Sequence, residues 1–190
     1  RCLRLATLNR LQSGRSLGMA SKLDFDGVRL PVSVEKAVAV MTDILTALGC
    51  DDAASGSIAR HLADASLCGV ESHGVMRILQ YARQFRSGYM SAGGQGHVAR
   101  HDGQFLRIDG GSGHGIPAMQ LAFETAIEAT SDQGISVSAI SNLGHTGRHG
   151  AFAEQAAEAG MMSILIGGGN RAVWRQVAPY GGAEAKLPTN

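Results

Sequence analysis

Two short blocks of the sequence carry residue types that can move a proton and hold a small acid. Residues 71–77 read Glu-Ser-His-Gly-Val-Met-Arg, and residues 142–148 read Asn-Leu-Gly-His-Thr-Gly-Arg. The imidazole of His73 titrates near neutral pH, and the neighbouring hydroxyl of Ser72 can orient it. The first block is therefore a candidate site for acid/base chemistry.

Arg77 adds an anion-binding group to the first block. On a helix that starts near Gly74, its guanidinium would lie on almost the same face as His73. Such a pair could hold a carboxylate through two parallel hydrogen bonds while the histidine moves a proton on the adjacent carbon. A Ser-His-Gly triplet is equally typical of a helix cap followed by a hinge, and spacing alone favours that structural interpretation.

The second block lies between an apolar run, residues 135–140, and a predicted helix from about Gly147 to Ala159. Strand-to-helix turns of an α/β sheet place side chains and amides where ligands bind. His145 is therefore a second candidate for proton transfer, and a loop histidine bound to a backbone carbonyl is the equal alternative. We expect His149, one helical turn later, to be exposed.

Further residues accompany the two blocks in order and spacing: Tyr81, Ser141, the stretch 177–182 (Val-Ala-Pro-Tyr-Gly-Gly), and Thr189 with Asn190. Together these residues resemble the malate/L-lactate dehydrogenase family of NAD(P)-dependent 2-hydroxyacid and 2-ketoacid oxidoreductases. That family does not use the fold of the classical lactate dehydrogenases. The resemblance extends from about Val34 to the end of the chain.

The resemblance implies hydride transfer between NAD or NADP and a small 2-hydroxy or 2-keto acid. His73 corresponds to the proton donor or acceptor, with Ser72 beside it, and His145 corresponds to a second active-site histidine that has this role in some members. We prefer His73 because Ser72 and the carboxylate-binding Arg77 are close to it. Tyr81 is included with the substrate-binding residues.

The resemblance also implies where the cofactor and a second subunit bind. Cofactor contacts are expected at Gly169, Asn170, Thr189 and Asn190. The sites of the family lie at a homodimer interface, so a homodimer is expected. No metal is expected, because His97 with His101, and His145 with His149, lack a third ligand.

Two departures from the family pattern leave alternatives open. Family chains are far longer than 190 residues, and Pro188 stands where the family usually has glycine. A non-catalytic truncated homologue that dimerises or binds a small anion is therefore the main alternative to an active dehydrogenase. A metal-dependent hydrolase that uses the histidines is a third possibility. Its activity would be abolished by a chelator.

Composition is typical of a cytoplasmic protein. The formal net charge is +1, 44% of residues are hydrophobic, and no basic cluster or membrane-spanning stretch points to nucleic acid or a bilayer. The three cysteines, Cys2, Cys50 and Cys68, lack paired spacing and are expected to be reduced. Residues 1–20 are rich in arginine and are expected to be a disordered or non-native leader, either translated upstream sequence with Met19 as the start or a transit peptide; we favour the former.

Hydrophobic periodicity predicts an α/β fold in which a helical N-terminal domain, residues 30–92, precedes an α/β region, residues 97–190. The resemblance implies that this second region is part of a mixed-sheet, non-Rossmann NAD(P)-binding domain. Predicted helices run from Ser33 to Gly49, from about Asp52 to Cys68, from Gly74 to about Gly88, from Pro117 to about Gln133, and from about Gly147 to Ala159. A hairpin with Asp102-Gly103 at its turn, and strands at 135–140 and 161–166, complete the prediction.

Overall fold

Helix α1 covers Val34–Ala47 and shows how the sequence sets the helix boundaries. The side chain of Ser33 accepts a hydrogen bond from the Lys36 amide at 3.3 Å, which satisfies one of the free N–H groups of the first turn. Gly49 then adopts φ +95°, a left-handed conformation that ends the helix. The computed structural model describes residues 30–168 and 178–184, so the expected leader, residues 1–20, lies outside the described residues.

Helix α2 covers Asp52–Leu67 and packs against α1. The Asp51 carboxylate caps it by accepting the Ala54 amide at 2.7 Å. Ile58, Leu62 and Ala65, which the helical period predicts to face inward, are all 0% exposed. The first two predicted helices are therefore confirmed.

The third helix starts later than predicted. Helix α3 covers Arg77–Arg86, and His73 belongs to a separate 3₁₀ turn, Glu71–His73. Gly74 between them is extended, with φ −90° and ψ −158°, and the Val75 amide donates to the Ser66 hydroxyl at 3.0 Å instead of to a helical carbonyl. The expectation of a helix that starts near Gly74 is therefore wrong, because the helix starts at Arg77.

A three-stranded mixed sheet follows the helices. Strand β1, His97–Asp102, pairs antiparallel with β2, Phe105–Asp109, and Gly103 at their turn has φ +56°. Strand β3, Val137–Ser141, pairs parallel with β2 after the crossover helix α4, Gly115–Gln133. The strand order is β1-β2-β3, and the hairpin, the helix after it and the mixed sheet agree with the sequence prediction.

The predicted strand at 161–166 is wrong. Helix α5 covers His149–Glu158, and residues 161–168 after it belong to no strand. Met162, Ile164 and Ile166 are 85–94% exposed, alternating with half-buried neighbours. The segment thus has the period of a strand, but no described strand pairs with it, and a strand requires a neighbour's hydrogen bonds.

The hydrophobic core lies between the helices. Within the described part of the chain it contains eleven buried residues, with Ile116 of α4 packed among residues of the first three helices and their connections. The members are Met41, Leu45, Cys50, Ile58, Ala59, Leu62, Ala63, Ile78, Tyr81, Met90 and Ile116. None of the helices in the described ranges combines the length and hydropathy needed to cross a membrane. Because Tyr81 is part of this core, the residue that its hydroxyl contacts is linked to closely packed side chains.

Candidate active site

The structure brings the two histidines of the sequence prediction together. The ring centroids of His73 and His145 are 5.2 Å apart, with 31° between the ring planes. His73 comes from the 3₁₀ turn after α2, and His145 comes from the turn between β3 and α5. Two imidazoles from distant parts of the chain therefore face one small volume, as a proton-transfer site requires.

The ring of His145 is fixed by two donors at its Nδ1 atom. The Gly147 amide donates to Nδ1 at 3.1 Å, and the Tyr81 hydroxyl lies 2.8 Å from the same atom. Since an amide N–H can only donate, Nδ1 carries a lone pair, and the Tyr81 hydroxyl must also donate. Neutral His145 therefore holds its proton on Nε2.

Burial keeps His145 neutral. Desolvation, together with the positive charge of Arg77 and the neighbouring histidines, lowers the pKa of His145 to about 3. The imidazolium form would be a charged group in a poorly solvated place next to a guanidinium. At neutral pH His145 is thus a neutral group with an Nε2–H donor.

His73 is less constrained than His145. Its Nδ1 atom lies 2.9 Å from the Ser72 hydroxyl, and the residue is half-buried. Burial first, and then the charge of Arg77, lower the pKa of His73 below its ordinary value. His73 is therefore an uncharged base at neutral pH, with one side of its ring open to a reactant.

Arg77 lies close to both histidines even though it does not share a helix with His73. Its Nε–H donates to the Ser72 carbonyl and its Nη1 donates to the Gln80 side chain. These bonds hold the guanidinium over the 3₁₀ turn and leave the second terminal nitrogen, Nη2, for another acceptor. The geometry suits an anion bound between Arg77 and the two rings.

Tyr81 is fully buried and does not reach open solvent. It is 0% exposed, and burial raises the pKa of its hydroxyl well above the ordinary value. Its ring packs edge-on against His114 with centroids 4.2 Å apart, while its hydroxyl contacts His145. The hydroxyl of Tyr81 thus contacts His145 directly.

Two histidines that shape the site, His61 and His114, were not predicted from the sequence, and a third, His149, was predicted to be exposed. His61 of α2 accepts a hydrogen bond from the Arg148 amide, and His114 caps α4 by accepting the Ile116 amide. His149 is half-buried and lies 2.7 Å from the Thr146 hydroxyl, so the expectation that it is exposed is wrong. For His61 the available signal was its place on the inward face of α2, next to Leu62.

Part of the predicted site falls where the structure gives no description. Gly169, Asn170, Thr189 and Asn190, the expected cofactor contacts, lie outside the described residues. Across 30–168 and 178–184, no group of three or more His, Cys, Asp or Glu side chains has an arrangement that could hold a metal ion. The described part of the site contains two imidazoles, His73 and His145, and the guanidinium of Arg77.

Comparison with known proteins identifies the family of the chain. The sequence profile described as malate/L-lactate dehydrogenase matches residues 32–190. A malate dehydrogenase of Pyrococcus abyssi is 32% identical over 168 residues, which cover 88% of this chain and 45% of that relative. A (2R)-3-sulfolactate dehydrogenase (NADP(+)) of Chromohalobacter salexigens is 31% identical over 159 residues, which cover 84% of this chain and 46% of that relative.

A solved structure agrees with the sequence comparison. The malate dehydrogenase of Pyrococcus horikoshii OT3 superposes with a TM-score of 0.65 at 31% identity, over 69% of this chain and 38% of that one. The chain thus spans less than half the length of these relatives, whose names describe oxidoreductases that act on hydroxy acids. Because the profile covers most of the sequence, the chain belongs to the malate/L-lactate dehydrogenase family.

Proposed function

We propose that the protein containing this chain is an NAD(P)-dependent oxidoreductase that interconverts a small 2-hydroxy acid and the corresponding 2-keto acid. The observation that carries the proposal is the pair of neutral imidazoles, His73 and His145, 5.2 Å apart beside the guanidinium of Arg77. One group of this set can take a proton, one can donate a hydrogen bond, and one can hold a carboxylate.

In the oxidative direction, His73 accepts the proton of the substrate hydroxyl. It is neutral, it is half-buried rather than enclosed, and the Ser72 hydroxyl orients its Nδ1 edge. The O–H proton goes to His73, and a carbonyl group remains if the hydride on the same carbon is taken up by a bound nicotinamide, which would serve as the oxidant. In the reverse direction the imidazolium of His73 returns the proton to the oxygen.

His145 supplies a hydrogen bond in this scheme rather than a mobile proton. With Nδ1 occupied by the Gly147 amide and the Tyr81 hydroxyl, its Nε2–H can donate to the substrate oxygen as negative charge develops there. A neutral imidazole held in one tautomer is suited to this role, because it needs no reorganisation during the reaction.

Arg77 holds the substrate carboxylate and lowers the pKa of His73. The positive charge of Arg77 is one reason that the pKa of His73 is lowered. A bound carboxylate would offset that charge, so the pKa of His73 would rise toward its ordinary value and His73 would become a stronger base when the substrate is in place. Substrate binding and base strength are therefore coupled.

The donor set fits a nicotinamide cofactor. Its residues supply a proton acceptor, an oxygen-stabilising donor and an anion clamp, but no group that can accept a hydride. A nicotinamide supplies that hydride acceptor when bound. On the family pattern, Gly169, Asn170, Thr189 and Asn190 would hold it, and the relative named for NADP(+) uses a cofactor of this class.

The same family pattern extends the proposal to the organisation of the protein. We propose a helical domain at 30–92, part of the cofactor domain at 97–190, and a homodimer whose sites lie at the subunit interface. Light scattering of the purified protein should give twice the chain mass, and a monomer that turns over substrate would contradict the dimeric part.

A direct assay tests the function. The complete reading frame that contains this chain is expressed and tested for loss of reduced-nicotinamide absorbance with NADH or NADPH and a panel of 2-keto acids. Turnover of at least one 2-keto acid is expected, and it should be lost in His73→Gln. Absence of turnover with every acid and both cofactors, in a folded protein, would contradict the proposal and favour a non-catalytic homologue.

A further inference from the structure

Helix α2 contacts the turn that carries His145 at two points. The Nε2 atom of His61 accepts the amide N–H of Arg148 at 2.8 Å, and the Asp64 carboxylate binds the Arg148 guanidinium at 2.6 Å. His61 and Asp64 are three residues apart, so they lie on one face of the helix. Arg148 is therefore held by its backbone and by its side chain at the same time.

The imidazole of His61 is part of the surface of α2 against which the turn at 145–148 packs. His61 is 7% exposed, and its ring stacks on Phe152 of α5 with centroids 5.2 Å apart. A Cβ atom on Gly147 would come within 2.3 Å of the His61 Nε2 atom. The turn can approach so closely only because residue 147 has no side chain.

The hydrogen bond between His61 and the Arg148 amide is linked to His145 through Gly147. Gly147 joins the two residues: its own amide donates to Nδ1 of His145, and its carbonyl carbon is bonded to the Arg148 amide nitrogen that donates to His61. A shift of the Arg148 amide therefore turns the peptide plane beside Gly147, and it weakens the hydrogen bond that keeps the lone pair of His145 on Nδ1.

We propose that His61 and Asp64 are positioning residues that hold the turn at 145–148 so that His145 keeps its proton on Nε2. They contact neither a reactant nor a cofactor in this account; they act through the Gly147 amide. The kinetic part of this inference rests on the proposed function, whereas the tautomer of His145 can be measured without turnover.

A pair of substitutions at one position separates positioning from packing. His61→Phe keeps a ring of similar size against Phe152 but has no acceptor for the Arg148 amide. His61→Gln gives up the ring but offers a carbonyl oxygen at about the same reach. If His61 only fills space, the phenylalanine variant should resemble the native protein more closely than the glutamine variant does.

The primary measurement is the ¹⁵N chemical shift of the two ring nitrogens of His145 in the folded chain. Native protein should show Nδ1 without a proton and Nε2 with one. His61→Phe should shift both signals toward those of a mixture of tautomers, and His61→Gln should restore them. His101→Gln, on the exposed strand β1, is the matched control and should leave the His145 signals unchanged.

A second variant keeps the inference testable if His61→Phe does not fold. Asp64→Asn removes one of the two carboxylates that bind the Arg148 guanidinium, the one that ties it to α2, while Glu154 of α5 remains bound. The core stays intact, because the Asp64 side chain is 47% exposed. Amide hydrogen exchange at Arg148 should become several-fold faster, with a smaller tautomer shift at His145. Unchanged His145 signals in every folded variant at 61 and 64 would overturn the inference.

Kinetics of the complete protein separate the two proposals. His61→Phe should lower kcat by about 10-fold to about 100-fold with little change in KM, and His61→Gln should recover most of that loss. If the His145 signals change in His61→Phe but the native protein shows no turnover, only the proposed function is contradicted. Native turnover with unaltered His145 signals in His61→Phe would contradict the positioning role only.

Discussion

The turn at 71–73 and the turn at 144–147 each present one histidine to the same space, yet they hold it differently. The ring of His73 has one side-chain hydrogen-bond partner among the described residues, the Ser72 hydroxyl, and the residue is half-buried. His145 has two donors on Nδ1 and lies in a turn enclosed by α2 and the core residue Tyr81. The first histidine is free to exchange a proton, and the second is held in one protonation state.

Burial explains most of the difference between the two rings. Desolvation is the first cause of the lowered pKa in both histidines, but only His145 is shifted as far as about 3. The residue type alone therefore does not define the role of a histidine. Its surroundings decide whether the imidazole transfers a proton or donates a hydrogen bond.

The largest effect is expected for Gly147→Ala. Residue 147 has φ +74°, and a Cβ atom there would lie 2.3 Å from the His61 Nε2 atom. Backbone strain and the clash together should lower the free energy of unfolding by about 2 to 5 kcal/mol, measured by urea unfolding. Gly160→Ala is the matched control, since Gly160 has φ +75° and nothing within 4 Å, so only about 1 kcal/mol of strain is expected there. Equal losses in the two variants would show that the turn does not pack tightly against His61.

Arg77→Ala should act mainly on substrate binding. Loss of the guanidinium should raise KM by about 100-fold, because a charged hydrogen-bonding group for the carboxylate is removed. The pKa of His73 should also rise, since Arg77 is one cause of its depression, and the acid limb of the kcat/KM profile should move to higher pH. Arg77→Lys keeps the charge, so it should retain the native acid limb while losing part of the binding. An unchanged KM in Arg77→Ala would remove Arg77 from the carboxylate site.

Acid stability should distinguish the enclosed histidines from exposed ones. Burial lowers the pKa of His61 to about 4 and that of His114 to about 3, whereas the unfolded chain binds these protons below about pH 6.5. The unfolded state thus holds more protons in this window, and the free energy of unfolding falls as the pH drops from about 6.5 toward 4.

His114→Asn tests this slope and keeps a cap for α4, because asparagine is a good N-cap residue. It should remove up to about 1.4 kcal/mol per pH unit from the slope between about pH 4 and 6. His101→Asn, on the exposed face of β1, should keep the native slope. Identical slopes in the native protein and in His114→Asn would show that His114 is charged in the folded state.

Tyr81→Phe should have the smallest effect. It removes one of the two donors to His145 Nδ1 but leaves the Gly147 amide in place. The free energy of unfolding should fall by about 1 kcal/mol, and kcat should fall by less than about 10-fold. Because Tyr81 is enclosed in the core, KM should not change. A raised KM with unchanged kcat would instead support the substrate-binding role that the family resemblance implies.

Local patterns were sufficient to predict much of the fold. The cap at Ser33, the Asp-Gly hairpin turn and the glycines after helices are short-range signals, and each was found where the sequence placed it. The strand at 161–166 has the right period but no described neighbour, and pairing is a long-range property that a period cannot supply. The start of α3 depends on Ser66 binding the Val75 amide, nine residues away.

The site shows the same division between local and distant information. His73, Arg77 and His145 could be found from residue type and spacing, and the structure brings them together. The roles of His61 and Asp64 arise from contacts with Arg148 across 84 residues or more of chain, so neither block of the sequence could indicate them. Tyr81 was found by resemblance, but its contact with His145 required the structure.

The division of roles between the two histidines is tested most directly by comparing His73→Gln with His145→Gln in the complete protein at saturating substrate. We predict that His73→Gln lowers kcat by about 10²-fold to about 10⁴-fold and removes the ionisation that controls the acid limb of the pH profile. His145→Gln should lose less and should keep that limb. Near-native turnover by His73→Gln, with turnover and the acid limb lost in His145→Gln, would contradict the account and assign the proton transfer to His145.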